Sequence, residues 1–233
     1  MFSPKQAPSA FPGAVVGTIH SALSLSSGCN LGAGALDFLE LRVDAFAAMD
    51  ELDALEKSVV RLKIPLIVTV RHPLEGGAGS LDLARRRVLF GRFLPYASFV
   101  DVELRSAQAL ADVIDRAQAQ GVGVILSHHD FRATPSLARL QELRRKAARA
   151  GASIFKVAAT ANTPRDLATL VDFLTQSKAP ALAVMGMGAF GKISRLTLGR
   201  AGSVLNYGYL DRAQVSGQWP AQLLKERLRE LSE

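Results

Sequence analysis

Eight short apolar runs recur along the 233-residue chain, at residues 14–19, 36–43, 66–71, 98–104, 122–127, 153–158, 181–184 and 203–207. They are rich in Val, Ile, Leu and Phe, and longer charged stretches of helical period separate most of them. Continuous apolar strands are buried on both faces, and helices between them imply a parallel sheet. The helical stretches lie near 51–61, 80–94, 106–120, 135–150, 164–177, 190–200 and 219–231, with the Ser/Gly-rich segment 21–35 the weakest. Eight units of about 29 residues each predict an α/β fold, a single-domain (β/α)8 TIM barrel over residues 13–233. A doubly wound open sheet is the competing topology. Residues 1–12, with three prolines and no apolar segment, read as a flexible N-terminal tail.

Local signals agree with this division. Thr134-Pro135 and Thr163-Pro164 each set a capping threonine before a proline at the first helical position. Ser80 and Ser106 are candidate caps for the helices that follow them. Gly121 and Gly151 stand where helices should stop before strands. Composition removes several classes of function. At 48% hydrophobic residues the chain is not disordered. Its longest nearly uncharged apolar stretch, 179–191, is too short for a membrane span. The single Cys29 suits a reducing cytoplasm. The net charge of +7 raises the question of an anionic partner. However, Arg85-Arg86-Arg87 and Arg144-Arg145-Lys146 lie inside helices and read as solvated surface. With aromatics at only 6%, no nucleic-acid partner is expected.

In a barrel, chemistry sits at the carboxyl ends of the strands. All four histidines, His20, His72, His128 and His129, fall at such ends. Their spacing does not suit a zinc hydrolase, and no metal is expected. Lys156 lies in the middle of the sixth apolar run, where a lysine must pair, snorkel or lose its charge, and a neutral amine attacks carbonyls. Ala158, Ala159 and Ala161 leave room above it. Period two puts Glu40, Arg42 and Asp44 on one face of the second strand, with Leu41 and Val43 on the other. Asp101, Glu103 and Arg71 repeat the pattern, so charges aim into the barrel from three strands. The run Gly186-Met187-Gly188-Ala189-Phe190-Gly191 matches a dinucleotide fingerprint, but only 42 residues follow it, too few for the rest of such a domain. Glycines there are expected to admit an anionic ligand, with Arg195 supplying charge, and Met185 and Met187 to form core or cavity wall.

Glu40-Leu41-Arg42-Val43-Asp44, Val68-Thr69-Val70-Arg71 with Glu75-Gly76-Gly77, and Ser127-His128-His129-Asp130-Phe131 with Thr134-Pro135 form an ordered set. Phe155-Lys156-Val157-Ala158, Met185-Gly186-Met187-Gly188 with Ser194-Arg195, and Gly217-Gln218 complete it. Together they resemble the type I 3-dehydroquinate dehydratases. The resemblance implies a lyase that acts through a Schiff base on Lys156. His129 would serve as general base and then acid, with Glu75 orienting it. It further implies Arg195 on the substrate carboxylate and Glu40, Arg42 and Arg71 around the ring hydroxyls and the carboxylate side. Gln218 would close from the last loop. No cofactor is implied, and the family is commonly homodimeric.

Three features depart from the family pattern. Gln214 stands where a serine is usual, so Ser216 is expected to take that part. His20 ends an unusual first strand and has no family role. The segment 21–35 is also short. Competing readings are an aldolase-like Schiff-base barrel acting on another keto acid, a metal-dependent barrel hydrolase, and a non-enzymatic anion or nucleic-acid binder.

Overall fold

The computed structural model describes residues 13–176 and 179–232; the tail expected over 1–12 lies outside the described residues. The expected strands form as β1 (Ala14–Ile19), β2 (Phe38–Arg42), β3 (Leu66–Thr69), β4 (Ala97–Glu103), β5 (Gly123–Asp130), β6 (Ile154–Thr160), β7 (Ala181–Met187) and β8 (Leu205–Tyr209). Every ladder is parallel. The hydrogen-bonded order is β7-β6-β5-β4-β3-β2-β1-β8, which curls into a (β/α)8 barrel.

No backbone ladder joins β7 to β8. A side chain closes that seam instead. Val204 donates its N–H to the Leu182 carbonyl at 2.9 Å. Ser203 Oγ accepts the Val184 N–H at 2.9 Å and has the Val184 and Leu205 carbonyls within 3.3 and 3.1 Å for its own proton.

The outer layer is α1 (Ala22–Asn30), α2 (Val43–Ala48), α3 (Leu52–Val59), α4 (Leu83–Phe93), α5 (Ala111–Ala119), α6 (Leu137–Arg149), α7 (Pro164–Thr175), α8 (Gly191–Arg200) and α9 (Ala221–Glu230). Strand alternation splits the core in two. Outward side chains such as Leu39, Leu41, Val68, Val124 and Phe155 pack under the helices. Inward ones such as Val16, Phe38, Ile67, Phe99, Ile125 and Ile154 fill the lower barrel. There Phe38 and Phe99 meet edge to face at 5.6 Å. This apolar plug leaves the carboxyl ends of the strands free to carry polar groups.

Thr163 caps α7 with a capping box to Asp166, and Gly121 and Gly151 take positive φ after α5 and α6. Other helix starts differ from expectation. Ser136, not Thr134, caps α6, and the Thr134 hydroxyl donates to the Thr160 carbonyl at 2.8 Å. Asp82 rather than Ser80 caps α4. Ser106 sits in a 3-10 turn (Leu104–Ser106) ahead of α5 and caps nothing, because its hydroxyl is occupied by Arg86. The short α2 was not anticipated. It begins directly after β2, so Asp44 lies in its first turn rather than on the extended strand.

Replacing Ser203 with alanine leaves the buried Val184 N–H at the seam unpaired. We expect a loss of about 1–3 kcal/mol, read as a fall of roughly 2–10 °C in Tm.

Candidate active site

A cavity of about 700 Å³ opens at the carboxyl ends of the strands. Its floor is ionic. Arg71, just past β3, donates from Nη1 to Asp101 Oδ1 at 3.0 Å, Glu103 Oε1 at 3.2 Å and Ser127 Oγ at 2.7 Å. Its Nη2 donates to Asp101 Oδ2 at 3.0 Å and stands 3.5 Å from Glu40 Oε1. Lys156 Nζ donates to Asp101 Oδ2 at 2.6 Å and lies 3.6 Å from Glu40 Oε1. Strand register produces this meeting, because β5 Ser127 faces β6 Lys156 and β3 Thr69 faces β4 Asp101. Burial alone would raise the Asp101 carboxyl, but Arg71 and Lys156 outweigh it and hold the group well below the usual carboxylate range. Of the three expected alanines only Ala158 lines the cavity above the lysine. Ala159 and Ala161 belong to the outer core.

Arg86 completes the network and corrects the reading of Arg85-Arg86-Arg87 as solvated surface. It is buried, pairs with Glu103, and donates to the Val70 carbonyl and Ser106 Oγ at 3.0 Å each. The missed signal was spacing. Arg86 shares one face of α4 with Leu89, Phe90 and Phe93, all buried. Arg71, Arg86 and Lys156 thus oppose Glu40, Asp101 and Glu103, three cations against three carboxylates.

His129 stands near the end of β5. Its Nδ1 and its backbone N–H both meet Glu75 Oε2, at 2.9 and 3.0 Å. Phe131 stacks along its ring. Burial, then Arg71 and Lys156, hold the His129 pKa well below the ordinary imidazole value. The ring is therefore neutral at neutral pH, with Nδ1–H directed to Glu75 and Nε2 free to take a proton. Glu75 is raised to about 7, first by burial and then by Glu103. A 3-10 turn (Pro73–Glu75) presents it, and Gly76 at φ +81° ends that turn. A Cβ on Gly77 would stand 2.2 Å from the Arg71 carbonyl oxygen, so the turn needs glycine there.

Arg42 grips Asp44 through Nε at 3.0 Å and Nη2 at 2.7 Å. It also reaches the Gly76 carbonyl at 2.9 Å and Gln214 Oε1 at 3.2 Å, joining three loops. Gln218 lines the cavity, and its Oε1 accepts the Gln214 N–H at 2.7 Å. Ser216 does not line the cavity; its carbonyl accepts the Gly188 N–H at 3.1 Å. Gln214 lines the wall at that point instead. Arg195 is buried at the cavity edge, where desolvation depresses it to about 10. Its Nε donates to the Gly217 carbonyl at 3.2 Å, while Nη1 has no partner.

The glycines of 186–191 pack rather than cradle. A Cβ on Gly186 would meet Ser194 Oγ at 2.6 Å and one on Gly191 the Gly217 Cα at 2.6 Å, and none of them lines the cavity. Met185 and Met187 form cavity wall as expected. The four histidines are not gathered. Only His20 and His129 line the cavity, and His72 Nδ1 accepts the Leu74 N–H. Among the described residues no group of three or more His, Cys, Asp and Glu side chains could hold a metal ion, and no helix is long and apolar enough to cross a membrane. Tyr207 was missed. From β8 its ring lies 4.2 Å from Lys156 Nζ. It ends the last apolar run, where an inward aromatic reads as core.

A buried lysine and a carboxylate-bound neutral histidine meet at the mouth of a (β/α)8 barrel, and the fold and site are those of an enzyme. The type I 3-dehydroquinase family model matches residues 18–233, and the chain belongs to that family. A 3-dehydroquinate dehydratase of Methanocella arvoryzae is 34% identical over 94% of this chain and 97% of its own length. The crystal structure of the Geobacillus kaustophilus 3-dehydroquinate dehydratase superposes with a TM-score of 0.83 at 27% identity, covering 94% of this chain and 91% of that one. The Aquifex aeolicus enzyme gives a TM-score of 0.76 at 28% identity over 93% and 98%.

Glu75 carries a proton more readily in the fold than in the unfolded chain, so its contribution to stability is present at low pH. That contribution is lost as pH rises from the ordinary carboxylate range through about 7. Glu75→Gln should therefore match wild-type stability near pH 4.5 and exceed it by about 3 kcal/mol at pH 8. Denaturant melts across that range check it, and a gap that closes with rising pH contradicts the assignment.

Proposed function

We propose that this protein is a 3-dehydroquinate dehydratase, converting 3-dehydroquinate to 3-dehydroshikimate and water through an imine on Lys156. One observation supports the reading above the rest. Lys156 and His129 come from adjacent strands into one cavity that also holds an arginine, Arg195, with an unpaired buried Nη1.

Lys156 gives up its ammonium proton to water, its free amine attacks the substrate ketone, and loss of water leaves an iminium. The iminium draws electrons from the neighbouring carbon, so His129 Nε2 removes its proton. The carbon–oxygen bond one carbon further on then breaks, and His129 returns that proton to the departing hydroxyl. Hydrolysis of the imine frees the product and restores Lys156. Glu75 stabilises the imidazolium while it holds the proton. Asp101 and Glu40 face the iminium as counter-charges, and the Tyr207 ring face lies against it. Arg195 takes the substrate carboxylate. Arg42, Arg71, Glu40 and Gln218 shape the rest of the site, Arg42 and Gln218 by fixing the β8 loop.

The reading needs no metal or organic cofactor, since the lysine and the histidine supply the chemistry. It places the enzyme in the shikimate pathway, in the cytoplasm, as a homodimer. Equilibrium sedimentation tests the last point.

Borohydride reduction with substrate present should leave an adduct on Lys156, seen by mass spectrometry. Dehydration without such an adduct overturns the mechanism. His129→Ala should still trap substrate while kcat falls by about 10²–10⁴-fold, the usual worth of a general acid–base. Unchanged turnover removes His129 from that role.

A further inference from the structure

His20 lies at the end of β1, directly across the barrel from β5 and His129, and both rings line the same cavity. Its side chain is 10% exposed, yet neither Nδ1 nor Nε2 has a hydrogen-bond partner. The Asp211 carboxylate stands 3.6 Å from Nε2, outside hydrogen-bond distance, because Ser21 Oγ holds its other oxygen at 2.7 Å. Burial lowers the His20 pKa, Asp211 opposes that, and Arg212 and Arg42 reinforce it. The ring is therefore a neutral imidazole with one donor and one acceptor to offer.

The distribution of unpaired polar atoms adds a second observation. Among the described residues, the buried side-chain polar atoms without a hydrogen bond belong to His20, Arg195, Tyr207 and Asn206. All but Asn206 line the cavity, on the wall formed by β1, β8 and α8. By contrast, Lys156 is bonded to Asp101, and His129 Nδ1 and its backbone N–H are bonded to Glu75, which leaves His129 Nε2 for the proton. Buried polar atoms without partners destabilise a fold and are kept where a ligand completes them. An apolar side chain would fill the place of His20 without that cost.

We propose that His20 is a substrate-binding residue that hydrogen-bonds a ring hydroxyl retained in the product, on the β1 side of the cavity. The proposal rests on the dehydratase reading. A polyhydroxylated cyclic keto acid fixed at Lys156 spans the cavity toward β1 and His20. A neutral imidazole there both donates to and accepts from a hydroxyl, which a cationic side chain cannot do. The contact is made before and after the chemical step, so it acts on binding and not on the barrier.

The test compares wild type, His20→Met and His20→Gln for steady-state dehydration of 3-dehydroquinate and for thermal unfolding of the free enzyme. We expect His20→Met to raise KM by about threefold to thirtyfold with kcat within about threefold of wild type. Its Tm should equal or exceed that of wild type, since two unpaired buried nitrogens are gone. His20→Gln restores a donor and an acceptor and should recover most of the loss in KM. A Met variant that melts lower with unchanged KM, or that fails to fold, makes His20 a structural residue and overturns the proposal. So does a Gln variant no better than Met. Wild-type protein that neither dehydrates the substrate nor traps it on Lys156 overturns the dehydratase reading itself, and the role of His20 falls with it.

Discussion

The guanidinium of Arg71 is the joint on which this site is built. It is buried among Asp101, Glu103, Glu40 and Ser127, and it draws together the ends of β2, β3, β4 and β5. Removing one partner from such a cluster leaves a charge without compensation in a low-dielectric interior, which is far costlier than never placing charges there. Lys156 is admitted to the apolar barrel because the carboxylates that Arg71 organises also face it. His129 stays neutral partly because Arg71 and Lys156 are cations nearby, burial being the larger cause. Position and protonation state are thus set by one buried network.

How much of this was legible in the sequence varied with the range of the interaction responsible. Period-two alternation exposes Glu40, Asp101 and Glu103 as inward groups because strand geometry is local, and Lys156 stands out as a lone charge within an apolar run. The barrel followed from eight apolar runs because parallel strands must be covered on both faces. Helix starts were read less well. Asp82 and Ser136 cap α4 and α6 in place of the nearby Ser80 and Thr134, whose competing roles depend on where neighbouring strands end. Arg86 shows the limit more sharply. Its burial has a local signature, the face it shares with Leu89 and Phe90, but its partner Glu103 lies at the end of β4. Ser216 and Gln214 exchange expected places because the loop's path is set by Gln218 and by the close approach of Gly191 to Gly217.

The two walls of the cavity are built on different terms. One is paired before any ligand arrives, Glu75 with His129 Nδ1 and Asp101 with Lys156. The other holds Arg195 and Tyr207 with polar atoms unpaired. Chemistry needs preorganised groups whose protonation does not change with each encounter, whereas recognition needs groups still free to bond.

The seam between β7 and β8 gives this division a mechanical side. Every other junction in the sheet is a backbone ladder, and β5 and β6, which carry His129 and Lys156, share six register pairs. The β7–β8 junction is clasped by Ser203 and one neighbouring N–H. That clasp lies toward the amino-terminal ends of β7 and β8, and no ladder joins the two strands above it. The ring of strands is therefore most continuously bonded where Lys156 and His129 stand, and least so where β7 meets β8.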